Sequence, residues 1–308
     1  MGGSAQCYVS FLERVQMQKE DYLSKAREFG VSENVIQAIE PMMRSIGTSF
    51  PLIPNQELPC PTACSKFGGY PDAPTGARWP EEADGSPYVF IAQINLTEIS
   101  GTGSWRSFPV EGLLSFFACF ETKKDYVEKA KVLFTATTND MQELPLHDML
   151  PAMDVPVAMR MQILRNEDWV APRQDSAWFQ KLPLSDDEKY TFEDFEYELD
   201  TDINSGLIYQ HSRFLGGLLS DIGGGDEFAK EECERRFRGL PSNQRVPDEH
   251  KERSGGWRIL ALFDPFDAHQ PQDSPLKRLL GRRLFYWIHE ADIAKGNFEN
   301  VQLISGES

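Results

Sequence analysis

The sequence predicts an α+β fold: mostly antiparallel sheets in two related halves, with an N-terminal helical pair. Three observations carry this. Apolar residues recur at helical spacing before residue 47; apolar runs punctuated by turn residues fill the chain from residue 65; and the later runs echo the earlier ones in order and spacing. A chain of 308 residues has room for one large or two ordinary domains. The expected division is a helical extension over 1–47, a Pro-rich connector over 48–64 and a main domain over 65–303, with halves at about 65–200 and 201–303.

Residues 8–46 read as two helices. Leu12, Val15, Tyr22, Ala26 and Phe29 share one face, and Gly30 stops the run as a C-terminal cap. Ser32 caps the next helix, along which Val35, Ile39, Met42 and Ile46 recur, and Pro41 kinks or shortens it. The connector carries Pro51, Pro54, Pro59 and Pro61 and shows no period, so it is extended. Ser65-Lys66-Phe67-Gly68-Gly69-Tyr70-Pro71 reads as a turn, because paired glycines reach backbone conformations that strain other residues. A Pro-Asp-Gly-rich loop over Pro71–Gly85 leads to strands at Tyr88–Leu96, Gly112–Phe120 and Val132–Ala136.

Within the first strand, Gln93 is one polar residue among apolar ones. It is expected to be buried and to bond backbone groups across the two halves, since an unsatisfied amide there costs about 1–3 kcal/mol. The rival reading places it on a pocket wall. In the second half, Arg213–Leu218 echoes Lys66–Tyr70, Trp257–Asp264 echoes the strand that carries Gln93, and Gly281–Ile288 echoes Gly112–Phe117.

The net charge of -17 argues against binding nucleic acid or an anionic membrane surface, and it favours basic protein partners. The charge peaks over Asp186–Asp202, where Lys189 alone opposes nine carboxylates. Phe195, Tyr197 and Leu199 alternate there with Glu196, Glu198 and Asp200, which is the period of a strand with an acidic outer face. Glu193, Asp194, Phe195, Glu196, Tyr197 and Glu198 are therefore the candidate partner-binding residues. The alternative is a solvated edge guarded by charge against aggregation.

No constellation announces catalysis. Five cysteines are an odd number, few and scattered, which implies no disulfide framework and favours a reducing cytoplasm. Cys60 and Cys64 have C-x3-C spacing, but structural zinc wants four ligands and no second pair exists. The histidines lack paired spacing. Asp200–Gly206 begins like a calcium loop, yet its glycine falls one residue late and His211 stands where a bidentate glutamate is needed. The glycines at 216–217 and 223–225 lack a phosphate-loop lysine. The expectation is no catalytic residue, no cofactor and no metal. The N-terminus lacks an apolar signal core, and no apolar run approaches the ~18 residues of a membrane span.

The Ser65–Pro71 turn followed by Phe90-Ile91-Ala92-Gln93-Ile94-Asn95 closely resembles the N-terminal signature of the YwqG-like family, soluble proteins widespread in bacteria. Its signature positions here are Lys66, Phe67, Gly68, Gly69, Pro71 and Gln93. Many relatives carry a Trp-Gly-Asp-x-Gly-like turn before the last strand; this chain has Leu279-Leu280-Gly281-Arg282-Arg283, which puts in doubt any ligand held by that turn. The resemblance implies a place in bacterial toxin–immunity neighbourhoods. The expectation is a non-catalytic, protein-binding, cytoplasmic chain, an immunity protein neutralising a basic toxin. One alternative is an enzyme or small-ligand binder with a pocket between the two halves; another is an interaction domain unrelated to toxins.

Overall fold

Helix signals and strand signals are both realised, but the chain assembles them in an order that local patterns do not convey. The computed structural model describes residues 18–46, 49–50, 52–54, 59–99, 108–121, 126–150, 155, 158–161, 168–171, 177–204, 212–214, 225–263 and 282–307. Leu12, Val15, the glycines at 216–217 and the Leu279–Gly281 turn lie outside the described residues. The helices are α1 (Lys19–Phe29), α2 (Glu33–Ile39), α3 (Leu96–Ile99), α4 (Ala177–Gln180), α5 (Asp186–Asn204), α6 (Gly225–Phe237), α7 (Lys251–Ser254) and α8 (Glu290–Ile293). The strands are β1 (Arg44–Ile46), β2 (Ser49–Phe50), β3 (Leu52–Pro54), β4 (Lys66–Phe67), β5 (Asp72–Pro74), β6 (Val89–Asn95), β7 (Leu113–Glu121), β8 (Tyr126–Thr135), β9 (Met141–Glu143), β10 (Met159–Met161), β11 (Asp168–Val170), β12 (Ser212–Phe214), β13 (Trp257–Phe263), β14 (Arg282–His289) and β15 (Gln302–Glu307). Two compact units result: Met1–Ile46 with Asn166–Ile203, and Gly47–Arg165 with Asn204–Ser308.

In the smaller unit, Gly30 ends α1 at φ 104°, and the hydroxyl of Ser32 caps α2 by accepting the Val35 N–H. Pro41 lies in a 3-10 turn over Glu40–Met42, and the chain then turns extended. Ile46 therefore sits in β1 rather than on a helix, and β1 pairs antiparallel with β11. The core of this unit joins Tyr22, Leu23, Ala26, Val35, Ile36 and Ile39 to Phe179, Phe192, Phe195 and Leu199. Tyr22 meets Phe195 edge-on at 5.3 Å between ring centres, and Phe179 stacks on Phe192 at 5.1 Å.

The larger unit has two main antiparallel sheets around a shared apolar core, with β5 and β9 paired in a small separate sheet. One sheet has the order β3-β10-β4-β6-β7-β8, the other β15-β14-β13-β12-β2. The supposed connector thus supplies an edge strand to each sheet. Ile94, Leu114, Phe116 and Met159 from the first sheet pack with Leu260, Phe263, Leu284 and Tyr286 from the second. Phe116 contacts Phe263 and Tyr286 edge-on at 5.0 and 5.1 Å.

The two sheets repeat one plan. β4, β6, β7 and β8 are neighbours in one, and β12, β13, β14 and β15 are neighbours in the same relative order in the other. Phe67 pairs with Ala92, as Phe214 pairs with Ala261. The β6–β7 register slips between Phe90 and Ala92, and the β13–β14 register slips between Ile259 and Ala261. Both slips stand at equivalent places, so Ile91 and Leu260 are the extra residues of matching bulges. Beyond each bulge, Ala92 faces Phe116 and Ala261 faces Tyr286.

Candidate functional site

The signature turn builds a buried polar cluster on the first sheet. Gly68 and Gly69 both adopt positive φ, 67° and 69°. A Cβ on Gly69 would stand 2.7 Å from the Ala158 Cβ, so the site excludes a side chain as well as an ordinary backbone. The turn hangs on the bulge, since Gly68 donates its N–H to the Ile91 carbonyl at 2.8 Å. Phe67 points into the inter-sheet core, and Lys66, its neighbour in β4, faces the opposite way. Lys66 sits across from Gln93 in the register.

Ala92 and Ile94 face the inter-sheet core, so Gln93 between them faces outward from it. It is nonetheless fully buried, under the segment 61–72. Its Oε1 accepts the Asp72 N–H at 2.9 Å. Its Nε2 donates to the Cys64 carbonyl at 2.8 Å and to Asp72 Oδ2 at 2.6 Å. These partners are Asp72 of the first half and Cys64 at the end of the connector, which corrects the expectation of bonds across the two halves. The repeat explains why no counterpart answers from the second half: the position equivalent to Gln93 is Leu262, buried in an apolar cluster with Trp257 and Trp287.

Asp72 is the hub of the cluster, and sequence reasoning missed it. Its Oδ2 accepts from Lys66 Nζ at 2.9 Å, from the Ala63 N–H at 2.9 Å and from Gln93 Nε2. Lys66 and Asp72 are both about 4% exposed, a depth at which an ion pair must be complete to be tolerated. The readable signal was Lys66 itself, since a lysine paired in register with a buried strand needs a carboxylate nearby. Pro71, beside it, lends its carbonyl to the Leu144 N–H at 2.8 Å.

Everything in the cluster bears on one turn. Asn95 Nδ2 donates to the Ala63 carbonyl at 2.8 Å, Gln93 holds the Cys64 carbonyl, and Asp72 holds the Ala63 N–H. The Cys64 N–H closes the turn on the Pro61 carbonyl at 3.1 Å. Ala63 is held at φ 61°, a conformation that a residue with a Cβ adopts only under constraint.

The acidic segment is a helix, not a strand. Ser185-Asp186-Asp187-Glu188 forms a capping box: Glu188 Oε2 accepts the Ser185 N–H at 3.0 Å, and Ser185 Oγ accepts the Glu188 N–H at 3.3 Å. Phe192, Phe195 and Leu199 then fall on one helical face and are buried. Phe195 is thereby removed from the partner-binding set. Glu196 is committed too, accepting the Tyr22 hydroxyl at 2.7 Å. Burial, then the Glu196 charge, raises the Tyr22 phenol well above its ordinary range. What remains outside is Tyr190 and Tyr197, 65% and 76% exposed, with Asp186, Asp187, Glu193, Asp194 and Glu198. The two tyrosines are seven residues apart, about 10.5 Å along one face, with Glu193 and Asp194 between them.

Glu188 also ties α5 to the start of α2, accepting from Ser32 Oγ at 2.7 Å and Asn34 Nδ2 at 3.1 Å. The Ser185 backbone, then Ser32, Ser185 Oγ and Asn34, hold its carboxyl down to about 2. A depressed carboxylate stabilises the fold above its unfolded value, and that contribution is lost as pH falls through the folded value. Between about pH 4.5 and 2, wild type is therefore expected to lose more stability than Glu188→Gln, as read by urea midpoints across that window. Parallel curves would detach the capping box from acid stability.

Among the described residues, no group of three His, Cys, Asp or Glu side chains is placed to hold a metal ion, and no helix is long and apolar enough to cross a membrane. A family model described as a domain of unknown function, DUF1963, matches residues 65–305. The curated proteins contain no match.

Proposed function

From the premise that the chain belongs to the DUF1963 family, we propose that it is a protein-binding, non-catalytic molecule whose docking element is the outer face of α5. The observation that supports this reading is the pair of exposed tyrosines set among exposed carboxylates on a helix whose opposite face is locked in a core. Tyrosine brings large contact area with a polar tip and little entropy to lose, and such residues dominate binding energies. The surrounding carboxylates select a basic partner and accelerate its approach. The partner class is a basic protein, and the finer reading is a toxin held inactive by a YwqG-like immunity protein.

The experiment begins with a partner captured by the full chain and identified by mass spectrometry. Association is then measured across salt for wild type, for Glu193→Lys/Asp194→Lys/Glu198→Lys and for Tyr190→Ala/Tyr197→Ala. The charge variant is expected to associate at least roughly tenfold more slowly and to lose most of its salt dependence. The tyrosine variant is expected to dissociate faster. Neither should shift the urea midpoint by much, since exposed charges contribute little to stability. An acidic partner, or rates unchanged in both variants, would remove α5 as the docking face. Co-expression that fails to suppress a captured partner's toxicity would sink the immunity reading alone.

A further inference from the structure

The buried Lys66, Asp72 and Gln93, with half-buried Asn95, hold a single turn in place, and that turn ends at Cys64 and is preceded by Cys60. Cys60 is half-buried and Cys64 is buried, both as free thiols. The two side chains share a hydrogen bond. The backbone between them is bent by the Pro61–Cys64 bond and by Ala63 at positive φ, and both carbonyls on the Cys64 side are pinned by side-chain amides. Such an arrangement fixes one sulfur and leaves the other reachable. Zinc would require two further ligands, and the described residues around the pair supply none. The charges present suit a different chemistry, since the Lys66 ammonium and the Arg160 guanidinium favour a negative sulfur at Cys60 and each acts more strongly there than the opposing Asp72 carboxylate.

We propose that Cys60 and Cys64 are a redox pair that hydroperoxide converts to a disulfide, with Cys60 as the attacking thiol and Cys64 as the resolving one. Cys60 loses its proton and its thiolate attacks one oxygen of hydrogen peroxide. A sulfur–oxygen bond forms, the oxygen–oxygen bond breaks, and the departing hydroxide takes up a proton to leave as water. The Cys64 sulfur then attacks the Cys60 sulfenic acid. The sulfur–sulfur bond forms, the sulfur–oxygen bond breaks, and the second hydroxide leaves with the Cys64 proton as water. Two thiols and one peroxide give one disulfide and two waters, and a dithiol reductant reverses the change by exchange.

The order of attack follows from exposure, since half-buried Cys60 is within reach of peroxide and Cys64 is buried. The hydrogen bond between the two thiols, then the Lys66 and Arg160 charges, lowers the Cys60 thiol to about 7. The same bond, then burial, pushes Cys64 above the ordinary thiol range. The lowered thiol favours the thiolate at Cys60 over an ordinary cysteine. Lower basicity blunts nucleophilicity, so the net gain in rate is several-fold.

The test uses the full chain in a Cys7→Ser background, treated with hydrogen peroxide and mapped by peptide mass spectrometry. The expected product is a Cys60–Cys64 crosslink, reversed by dithiothreitol and formed several-fold faster than any oxidation of half-buried Cys119. Cys64→Ser should trap Cys60 as a dimedone-reactive sulfenic acid, and Cys60→Ser should leave Cys64 reduced. Alkylation of Cys60 should follow a pH profile with its midpoint near 7. Should both thiols survive peroxide that oxidises Cys119, or should Cys60 alkylate no faster than Cys119, the redox pair is excluded. Circular dichroism of each variant separates failure to react from failure to fold.

Discussion

Asp72→Ala is expected to lower the unfolding free energy by about 3–5 kcal/mol, among the largest effects of any single replacement in this chain. The Lys66 ammonium would remain at 4% exposure with its carboxylate gone, and the Ala63 N–H and one Gln93 donor would lose the same oxygen. A buried charge without a partner is far costlier than a missing attraction, because desolvation is no longer offset. Urea unfolding at neutral pH reads the loss directly. Adding Lys66→Met to Asp72→Ala removes the stranded charge and should restore part of the stability, but not all. The remainder reports the pinning of Ala63 and Gln93, which the double variant does not repair. If Asp72→Ala alone costs less than about 1 kcal/mol, the cluster is not closed as described.

Glu234→Ala is expected to cost about 2–4 kcal/mol. Glu234 is fully buried at the foot of α6 and accepts from Trp257 Nε1 at 2.9 Å, from Arg238 Nε at 2.7 Å and from Arg253 Nη1. Burial alone would raise its carboxyl, but the Trp257 and Arg238 bonds and the Arg253 charge outweigh it, leaving it below the ordinary range. Truncation strands a buried indole N–H, worth about 1–3 kcal/mol, and breaks two charge-assisted bonds. The arginines are about a quarter exposed and can turn to water, which keeps the loss below that at Asp72. Thermal and urea unfolding should agree in rank: Asp72→Ala worst, Glu234→Ala next. An unchanged midpoint for Glu234→Ala would mean that α6 is not anchored to the second sheet through this carboxylate.

The long strands were legible in the sequence because each alternates or runs apolar over a length that helices do not share. The repeat was legible for the same reason, and the paired bulges at Ile91 and Leu260 give it a structural signature that the letters alone lacked. The acidic segment was misread because Phe195, Tyr197 and Leu199 satisfy period two, while Phe192, Phe195 and Leu199 satisfy the helical period. The capping box at Ser185–Glu188 was the local arbiter between them. The direction of Gln93 depended on a bulge two residues earlier, which no side-chain pattern marks. Cys60 and Cys64 were visible as a spacing, with Lys66 close by in sequence, but the Arg160 charge beside them comes from a strand about a hundred residues later.

The smaller unit is made from the two ends of an interruption of roughly 120 residues, and this imposes an order of events during synthesis. α1 and α2 are too short to persist as isolated helices, and their apolar faces are completed only by Phe192, Phe195 and Leu199. At ribosomal speeds those residues emerge on the order of ten seconds after Ile39. For that interval Tyr22, Leu23, Ile36 and Ile39 belong to a nascent segment without a core, while the first sheet of the other unit is already being made. The helical pair is therefore translated well before the segment that completes its core, and that interval is an opening for a chaperone.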